Sequence, residues 1–178
     1  MNAPRVSIID TGVANIASVE AAFVRLGCAV ERTCDAARVR DAARVVLPGV
    51  GAFAAGMERL RAGGLADALR ARVESGTSTL AICLGLQMLF EGSEESPGVD
   101  GLGLCPGVVR RFRGEVRVPQ FGWNRVEGSD AGVVRSGYAY FANSFCATGA
   151  PAGWTTAWSV HGERFVAAME RGAVVACQ

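Results

Sequence analysis

The chain has 178 residues, and 18 basic against 17 acidic side chains give it a formal net charge of +1. A nearly neutral chain of this length, half of it apolar, fits one domain with an ordinary core and gives no sign of binding nucleic acid or an anionic membrane. It has no unbroken run of about 18 apolar residues, and its N-terminus is typical of a strand rather than a signal peptide, so a cytoplasmic location is expected.

The first hundred residues alternate short apolar runs with helical patterns. The predicted strands cover residues 6–9, 28–33, 44–47 and 79–82. Helical spacing of apolar side chains predicts helices over residues 16–26, 65–73 and 84–90. This alternation favours an α/β fold of three layers, with a mostly parallel central sheet covered by helices on both faces.

The pattern changes after Gly101, where short β-like runs are separated by glycines. These runs cover residues 108–112, 138–145 and 173–177. They predict a smaller mixed or antiparallel β portion on the same domain. No linker or repeat divides the sequence, so residues 1–178 are expected to form a single domain.

Six cysteines are present, at irregular spacings and without a C-x-x-C pair. In a chain of this length without a secretory signal, that pattern argues against a disulfide framework. The single histidine, His161, is far in sequence from any cysteine pair, which argues against a zinc site. We therefore expect no metal ion.

Cys83 follows a predicted strand directly and precedes a predicted helix, with Gly85 two residues later. A reactive side chain at such a strand-to-helix turn is typical of a nucleophile elbow. The first N–H groups of a helix stabilise a thiolate, lower its pKa and can hold an oxyanion. A buried structural cysteine is the alternative, and spacing alone leaves the two equally open.

Val50 lies between two glycines at the end of the third predicted strand. Glycine permits positive φ and close approach of a ligand, and ligands of open α/β sheets bind at the carboxyl ends of strands. An ordinary turn would explain the same residues. On their own, the glycines favour the turn.

Several segments together resemble the class I, Cys-type glutamine amidotransferases, and most closely the family of glutaminase subunits of imidazole glycerol phosphate synthase, from histidine biosynthesis. The resemblance extends over nearly the whole chain. Its segments are residues 9–18, 47–53, 81–90, 101–107 and 119–124. The last, Pro-Gln-Phe-Gly-Trp-Asn, separates this subunit from amidotransferases of other pathways. Ala81 is a mild departure, because the pattern prefers glycine there.

The resemblance implies a role for each matching residue. Cys83 would be the nucleophile that forms a glutamyl thioester, and the N–H groups of Leu84 and of Val50 or Gly51 would form the oxyanion hole. L-glutamine would be held by Gly51 and Gln87, together with the segment Asn143, Ser144 and Phe145. The family usually has His-Ser-Tyr in that segment, so Asn143 and Phe145 are departures. No metal or organic cofactor is implied.

The family's catalytic His and Glu belong to a Phe-His-Pro-Glu motif, which residues 1–178 do not contain. The resemblance therefore predicts that the domain is incomplete at its C-terminal end relative to the family. His161, expected in a loop that leads into a strand, is interpreted as a solvated or hydrogen-bonded side chain and not as a substitute base. An inactive or non-catalytic domain that binds a partner is one alternative, and an amidotransferase of another pathway is a second.

The implied partner is a (βα)8 cyclase subunit, which would form a heterodimer with this chain and receive its ammonia. Such barrels hold their active sites at the carboxyl-end face of the strands, so the glutaminase site should lie against that face. Gln120, Trp123 and Asn124 are the candidate contact residues, because tryptophan is enriched among interface anchors. Burial of Trp123 in the core is the alternative.

Overall fold

A computed structural model of the chain describes residues 3–12, 15–129 and 132–178. The strands in these ranges are β1 (Arg5–Ile9), β2 (Ala29–Thr33), β3 (Val45–Gly49), β4 (Thr79–Cys83), β5 (Phe90–Ser93), β6 (Cys105–Arg111), β7 (Gln120–Val126), β8 (Gly137–Asn143), β9 (Phe145–Cys146), β10 (Thr155–His161), β11 (Glu163–Arg171) and β12 (Val174–Cys177). The helices are α1 (Ile16–Arg25), α2 (Ala36–Asp41), α3 (Phe53–Ala62), α4 (Leu65–Glu74) and α5 (Leu84–Gln87). No helix in the described ranges is long and apolar enough to cross a membrane.

The central sheet has seven strands in the order β10-β11-β12-β4-β3-β1-β2. The five strands from β12 to β2 run parallel, and β10 and β11 extend them as an antiparallel hairpin. A mostly parallel sheet is what the alternating sequence pattern predicts, and this prediction is confirmed.

Helices pack on both faces of the sheet. On one face, α2, α3, α4 and α5 bury apolar side chains against alternate residues of β3, β4 and β12. On the other face, α1 packs Ile16 against Val6, Ile8 and Val46. The hairpin of β7 and β8 covers the rest of that second face, where Val126 and Phe141 pack against Phe165 of β11. β1 and β3 are buried at successive positions, because neighbouring side chains point to opposite faces and both faces are covered.

The smaller β portion is confirmed as two separate sheets, with β5-β6-β9 in one and β7-β8 in the other. The predicted run over residues 138–145 is interrupted at Ser144, which separates β8 from β9. The run over residues 173–177 was assigned wrongly to this portion. It forms β12, which inserts into the central sheet parallel to β4, with Cys177 beside Ile82.

The helix predicted over residues 84–90 is also too long, because α5 ends at Gln87 and Phe90 begins β5. Backbone groups of residues 88–91 instead bond to residues 101–105, including Leu102 N–H to the Met88 carbonyl at 2.8 Å. Long-range hydrogen bonds therefore override the helical spacing. The sequence analysis did not identify α2, α3 or the β10-β11 hairpin.

The carboxyl ends of β3, β4 and β12 meet at one edge of the central sheet. Gly49 lies beside Cys83 in register, and Cys177 lies beside Ile82. In open parallel sheets, this edge is where ligands bind. The topology thus brings Cys83 next to two chain segments that are distant in sequence.

Arg72 of α4 is a buried cation with 2% of its surface exposed. Its Nη1 donates to the carbonyls of Val39, Arg40 and Ala42 at 2.7–3.1 Å, and its Nη2 donates to Ser78 O at 2.7 Å. Three of these carbonyls lie in the last turn of α2 or just beyond it, where helical partners are missing. The guanidinium therefore joins two helices and complements the negative end of α2.

We predict that Arg72→Met lowers the free energy of unfolding by about 3 kcal/mol or more, because several buried carbonyls lose their donor at once. Urea unfolding followed by circular dichroism measures the change. Arg59→Met is the control, since Arg59 is exposed on α3 and its replacement should stay within about 0.5 kcal/mol. Equal effects of the two substitutions would contradict the role of Arg72.

Candidate active site at the Cys83 turn

Cys83 lies at a sharp turn between β4 and α5, as the elbow interpretation expects. Its backbone has φ +55° and ψ −110°, and it is the one non-glycine residue with positive φ in the described part of the chain. Such a conformation costs about 1–3 kcal/mol and persists only where the surroundings impose it.

Two glycines provide the space that this turn requires. A Cβ on Gly85 would lie 2.2 Å from the Leu47 carbonyl oxygen, and a Cβ on Gly49 would lie 2.8 Å from the Leu84 Cβ. Neither distance is sterically possible. The turn therefore packs directly against the end of β3. A side chain at Gly49 or at Gly85 would push the end of β3 and the start of α5 apart.

A cavity of about 180 Å³ opens beside the Cys83 side chain. Its lining residues come from the ends of β3, β4 and β8, from the segments after them and from the loop after β5: Val50, Gly51, Cys83, Leu84, Gln87, Glu95, Ala142, Asn143, Ser144 and Phe145. The structure thus brings together every residue that the sequence suggested for the nucleophile, the oxyanion hole and the substrate contacts. Their chemical roles stay predictions.

Burial raises the pKa of the Cys83 thiol, while hydrogen bonds from the Leu84 N–H and from the Gln178 side chain act in the opposite direction. Burial is the larger effect. The sequence analysis expected a lowered pKa from a helix N-terminus, but α5 has only four residues and contributes little dipole. At neutral pH the neutral thiol is the resting form, so a nucleophilic reaction requires removal of its proton.

Gln87 is buried and uses both hydrogens of its amide within the protein. Its Nε2 donates to the Phe145 carbonyl at 3.2 Å and to Gln178 Oε1 at 2.9 Å. The Gln178 Nε2 in turn donates to Cys83 Sγ at 3.4 Å. Gln87 can therefore offer a substrate only its carbonyl oxygen. Sequence reasoning did not identify Gln178, because the placement of β12 beside β4 was not foreseen.

The segment from Asn143 to Phe145 forms one wall of the cavity, and hydrogen bonds from the Asn143 side chain and from Phe112 hold it in place. Asn143 Nδ2 donates to the Phe145 carbonyl at 3.0 Å, and the Ser144 carbonyl accepts from the Phe112 N–H. The Asn143 Oδ1 is buried without a hydrogen-bond partner. Asn143, which stands where the resemblance expects histidine, therefore contacts the local backbone through its amide nitrogen.

Glu95 also lines the cavity, and sequence reasoning missed it. Its Oε2 accepts from the Phe53 N–H at 2.7 Å, at the start of α3, where Ala52 provides no side-chain cap. Ser96 accepts in the same way from the Ala54 N–H. Glu95 is the one carboxylate among the residues that line this cavity. No local sequence pattern identifies Glu95, because the helix start that it caps lies 42 residues earlier in the chain.

His161 does not line the cavity. It ends β10 at the tight turn into β11, its Nε2 lies 2.8 Å from the Arg117 carbonyl, and its ring packs edge-on against Phe112 at 5.0 Å. These contacts agree with the interpretation of a hydrogen-bonded histidine outside the site. Within the described residues, no group of three or more His, Cys, Asp or Glu side chains could hold a metal ion.

The three candidate contact residues on β7 differ in exposure. Trp123 is 69% exposed, which excludes the alternative that it belongs to the core. Asn124 is half-buried and donates to the Val160 carbonyl at 3.0 Å. Gln120 is buried, and both polar atoms of its amide lack a hydrogen-bond partner, so its side chain is not part of the exposed surface. Side-chain alternation along β7 turns Gln120 inward.

Trp123 belongs to an exposed aromatic face on the β7-β8 hairpin. Phe121, Trp123, Tyr138 and Tyr140 are each more than half exposed, and the Trp123 and Tyr140 rings pack edge to face at 5.8 Å. Their alternate positions on two paired strands place them on the same side. β8 continues from this face to Asn143 in the cavity wall, so the face and the cavity adjoin.

Comparisons with known proteins agree with this arrangement. A family model described as "Glutamine amidotransferase class-I" matches residues 7–178. The imidazole glycerol phosphate synthase subunit HisH of Moorella thermoacetica is 40% identical over an alignment of 172 residues, and the match covers 94% of this chain and 82% of that protein. The chloroplastic imidazole glycerol phosphate synthase hisHF of Arabidopsis thaliana is 37% identical over 97% of this chain and 31% of its own length. A crystal structure of a glutamine amidotransferase has the same fold, with a TM-score of 0.77 and 20% identity over 97% of this chain and 87% of that one.

We predict that Gly85→Ala prevents the turn from closing against β3, because the added methyl group would overlap the Leu47 carbonyl. The free energy of unfolding should fall by about 3 kcal/mol, the upper range for overpacking. Gly149→Ala is the matched control, since a Cβ there meets no atom within 4 Å and φ is not positive. Denaturant unfolding of both variants measures the difference, and a stable Gly85→Ala protein would show that the contact does not hold the turn.

Proposed function

The chain belongs to the class I glutamine amidotransferase family, and we propose that it is the glutaminase subunit of an imidazole glycerol phosphate synthase. The observation that carries the proposal is the Cys83 cavity, which unites a strained cysteine with the predicted oxyanion and substrate residues. The similarity to HisH subunits over nearly the whole chain supports the choice of pathway. The cytoplasmic location stays a prediction.

In the proposed reaction, Cys83 Sγ attacks the carboxamide carbon of glutamine. The carbonyl oxygen gains negative charge in the tetrahedral intermediate, and backbone N–H groups at its position stabilise that charge. Leu84 supplies one N–H, which already bonds to the Cys83 sulfur. Val50 or Gly51 supplies the second from the loop after β3, and the positive φ of Gly51, +89°, is a conformation that glycine permits.

Collapse of the intermediate expels ammonia and leaves a glutamyl thioester on Cys83, and attack by water then releases glutamate. A base must take the thiol proton, because burial holds the pKa of Cys83 above its ordinary value. The same group must protonate the departing nitrogen. The resemblance assigns this work to a His–Glu pair, which residues 1–178 do not contain.

Glu95 fits the amino-acid end of the substrate. One of its oxygens is bonded to the Phe53 N–H, which fixes the carboxylate at the cavity wall. Its second oxygen can accept from the α-ammonium group of glutamine in a charge-assisted hydrogen bond. The carbonyl oxygen of Gln87 is a second acceptor in the same cavity. Glu95 and Gln87 would together favour a substrate with a free α-ammonium group over a simple amide.

We predict that an electrophile built on the structure of glutamine modifies Cys83 selectively. The chloroketone analogue of glutamine should modify Cys83 first, whereas iodoacetamide at limiting dose should modify the exposed Cys34 first. Peptide mapping by mass spectrometry distinguishes the sites, and excess L-glutamine should protect Cys83 alone. Modification of Cys34 by both reagents at the same relative rate would remove the evidence for a glutamine site.

Turnover requires a separate measurement. Glutamate release is followed with the cyclase partner present, and Cys83→Ala provides the blank. Glutamate release that depends on Cys83 supports the glutaminase. A chain that binds the cyclase but neither releases glutamate nor reacts with the chloroketone would support the non-catalytic alternative.

The aromatic face on β7 and β8 is the proposed contact with the cyclase in a heterodimer. Large exposed aromatic clusters mark protein interfaces, and this one adjoins the cavity from which ammonia must leave. In the Arabidopsis relative the matched segment is only 31% of the protein, which is consistent with a second functional part on the same chain. A partner bound to this face would also exclude water from the entrance of the cavity.

We predict that Trp123→Ala weakens binding to the cyclase by about 30-fold, equivalent to about 2 kcal/mol, because it removes a central aromatic anchor. Titration calorimetry measures the affinity, and circular dichroism checks the fold. Leu26→Ala is the control, since Leu26 is 75% exposed but lies at the end of α1, on another element. Equal affinities for wild type and Trp123→Ala would place the contact elsewhere.

A further inference from the structure

The Cys83 sulfur receives a hydrogen bond from a side chain on a neighbouring strand. Gln178 follows β12, and its Nε2 lies 3.4 Å from Cys83 Sγ. The Gln178 backbone is fixed by a hydrogen bond from its N–H to the Ala167 carbonyl at 2.9 Å. β12 and β4 are parallel neighbours, and Cys177 lies beside Ile82. Gln178, the residue after β12, therefore lies beside Cys83.

A glutamine amide can face a sulfur with either its nitrogen or its oxygen, and the two orientations have opposite effects. The nitrogen donates a hydrogen bond and stabilises a thiolate, whereas the oxygen presents a lone pair and destabilises it. Something must therefore determine the orientation of Gln178.

The contacts of Gln87 determine it. The Phe145 carbonyl can only accept, so the Gln87 atom that faces it at 3.2 Å has to be the amide nitrogen. The second hydrogen of that nitrogen then points at Gln178, which must present its oxygen, at 2.9 Å. The Gln178 nitrogen is left on the opposite side, where the sulfur lies. The Phe145 carbonyl thus fixes the donor and acceptor in each hydrogen bond from Gln87 through Gln178 to Cys83.

We infer that Gln178 is a dedicated hydrogen-bond donor to the Cys83 sulfur and that Gln87 is a positioning residue, which fixes the Gln178 amide through the Phe145 carbonyl. The inference rests on the proposed role of Cys83 as nucleophile and deepens it. Gln178 stabilises the thiolate once a base has taken the proton. Gln87 is 6% exposed, so solvent cannot easily replace its contacts.

The test measures the pH dependence of Cys83 alkylation by iodoacetamide in the full chain, by mass spectrometry of the Cys83 peptide. It needs no turnover, so its outcome is independent of the glutaminase assay. Gln178→Met keeps the length of the side chain and removes the donor. Loss of one hydrogen bond to a thiolate should raise the apparent pKa of Cys83 by about one pH unit and slow alkylation at pH 7 about tenfold.

Gln87→Met should raise the apparent pKa of Cys83 by a similar amount, because the Gln178 amide is then free to turn its oxygen to the sulfur. The double variant should equal the Gln178→Met variant, since Gln87 acts only through Gln178. Gln178→Glu, of nearly identical shape, should raise the pKa further by placing an anion beside the sulfur. Alkylation of the exposed Cys34 in the same digests is the internal control and should not change.

If the pH dependence of Cys83 alkylation is unchanged in Gln178→Met, Gln178 is not a donor to the sulfur. The same conclusion follows if Gln178→Glu, which preserves the shape of the side chain, behaves like wild type. A shift in Gln178→Met without one in Gln87→Met would overturn the positioning role. Additive shifts in the double variant would overturn it as well. Circular dichroism and thermal unfolding confirm that each variant is folded before its profile is compared.

Discussion

The contact between the Cys83 turn and the end of β3 is the constraint on which the site depends. A cysteine held at φ +55° is strained, and the strain persists because the turn has only one place to lie, against Leu47 and Gly49. Packing at Gly85 brings Cys83 beside the loop that carries Val50 and Gly51. A cavity that joins Cys83 to the proposed oxyanion residues follows from one interatomic distance that leaves no space for a side chain.

The thiol lies in an environment with two opposing effects. Burial stabilises the neutral form and raises the pKa of Cys83, while Leu84 N–H and the Gln178 amide stabilise the charged form. This balance suits a nucleophile that must stay unreactive until substrate is bound, since a buried neutral thiol is slow to alkylate or oxidise. In the proposed reaction, Gln178 then stabilises the thiolate, and the Leu84 N–H stabilises the tetrahedral intermediate, in which negative charge develops.

The β7-β8 hairpin connects the exposed aromatic face to the Cys83 cavity. Its inner side packs Val126 and Phe141 into the core, its outer side carries exposed aromatic rings, and the end of β8 forms a wall of the Cys83 cavity. Tyr140 on the outer face and Asn143 in the cavity wall therefore belong to the same strand, β8. The buried amide of Gln120, paired across the strands with Asn143, belongs to the same connection.

Local sequence determined the elements whose residues are close together in the chain. The alternation of apolar runs predicted the parallel sheet, and a cysteine between a strand and a helix with Gly85 after it predicted the turn, because both features depend on neighbouring residues. The family resemblance, carried over to the segments around Val50, Cys83 and Asn143, also identified most of the cavity's lining.

Only the tertiary structure decided what depends on contacts between distant segments. The insertion of β12 beside β4 placed Gln178 against the sulfur, a loop after β5 placed Glu95 at the cavity, and pairing of residues 101–105 with residues 88–91 ended α5 after four residues. The thiol's raised pKa has the same origin. Desolvation depends on everything packed around a group, and no local pattern in the sequence records it.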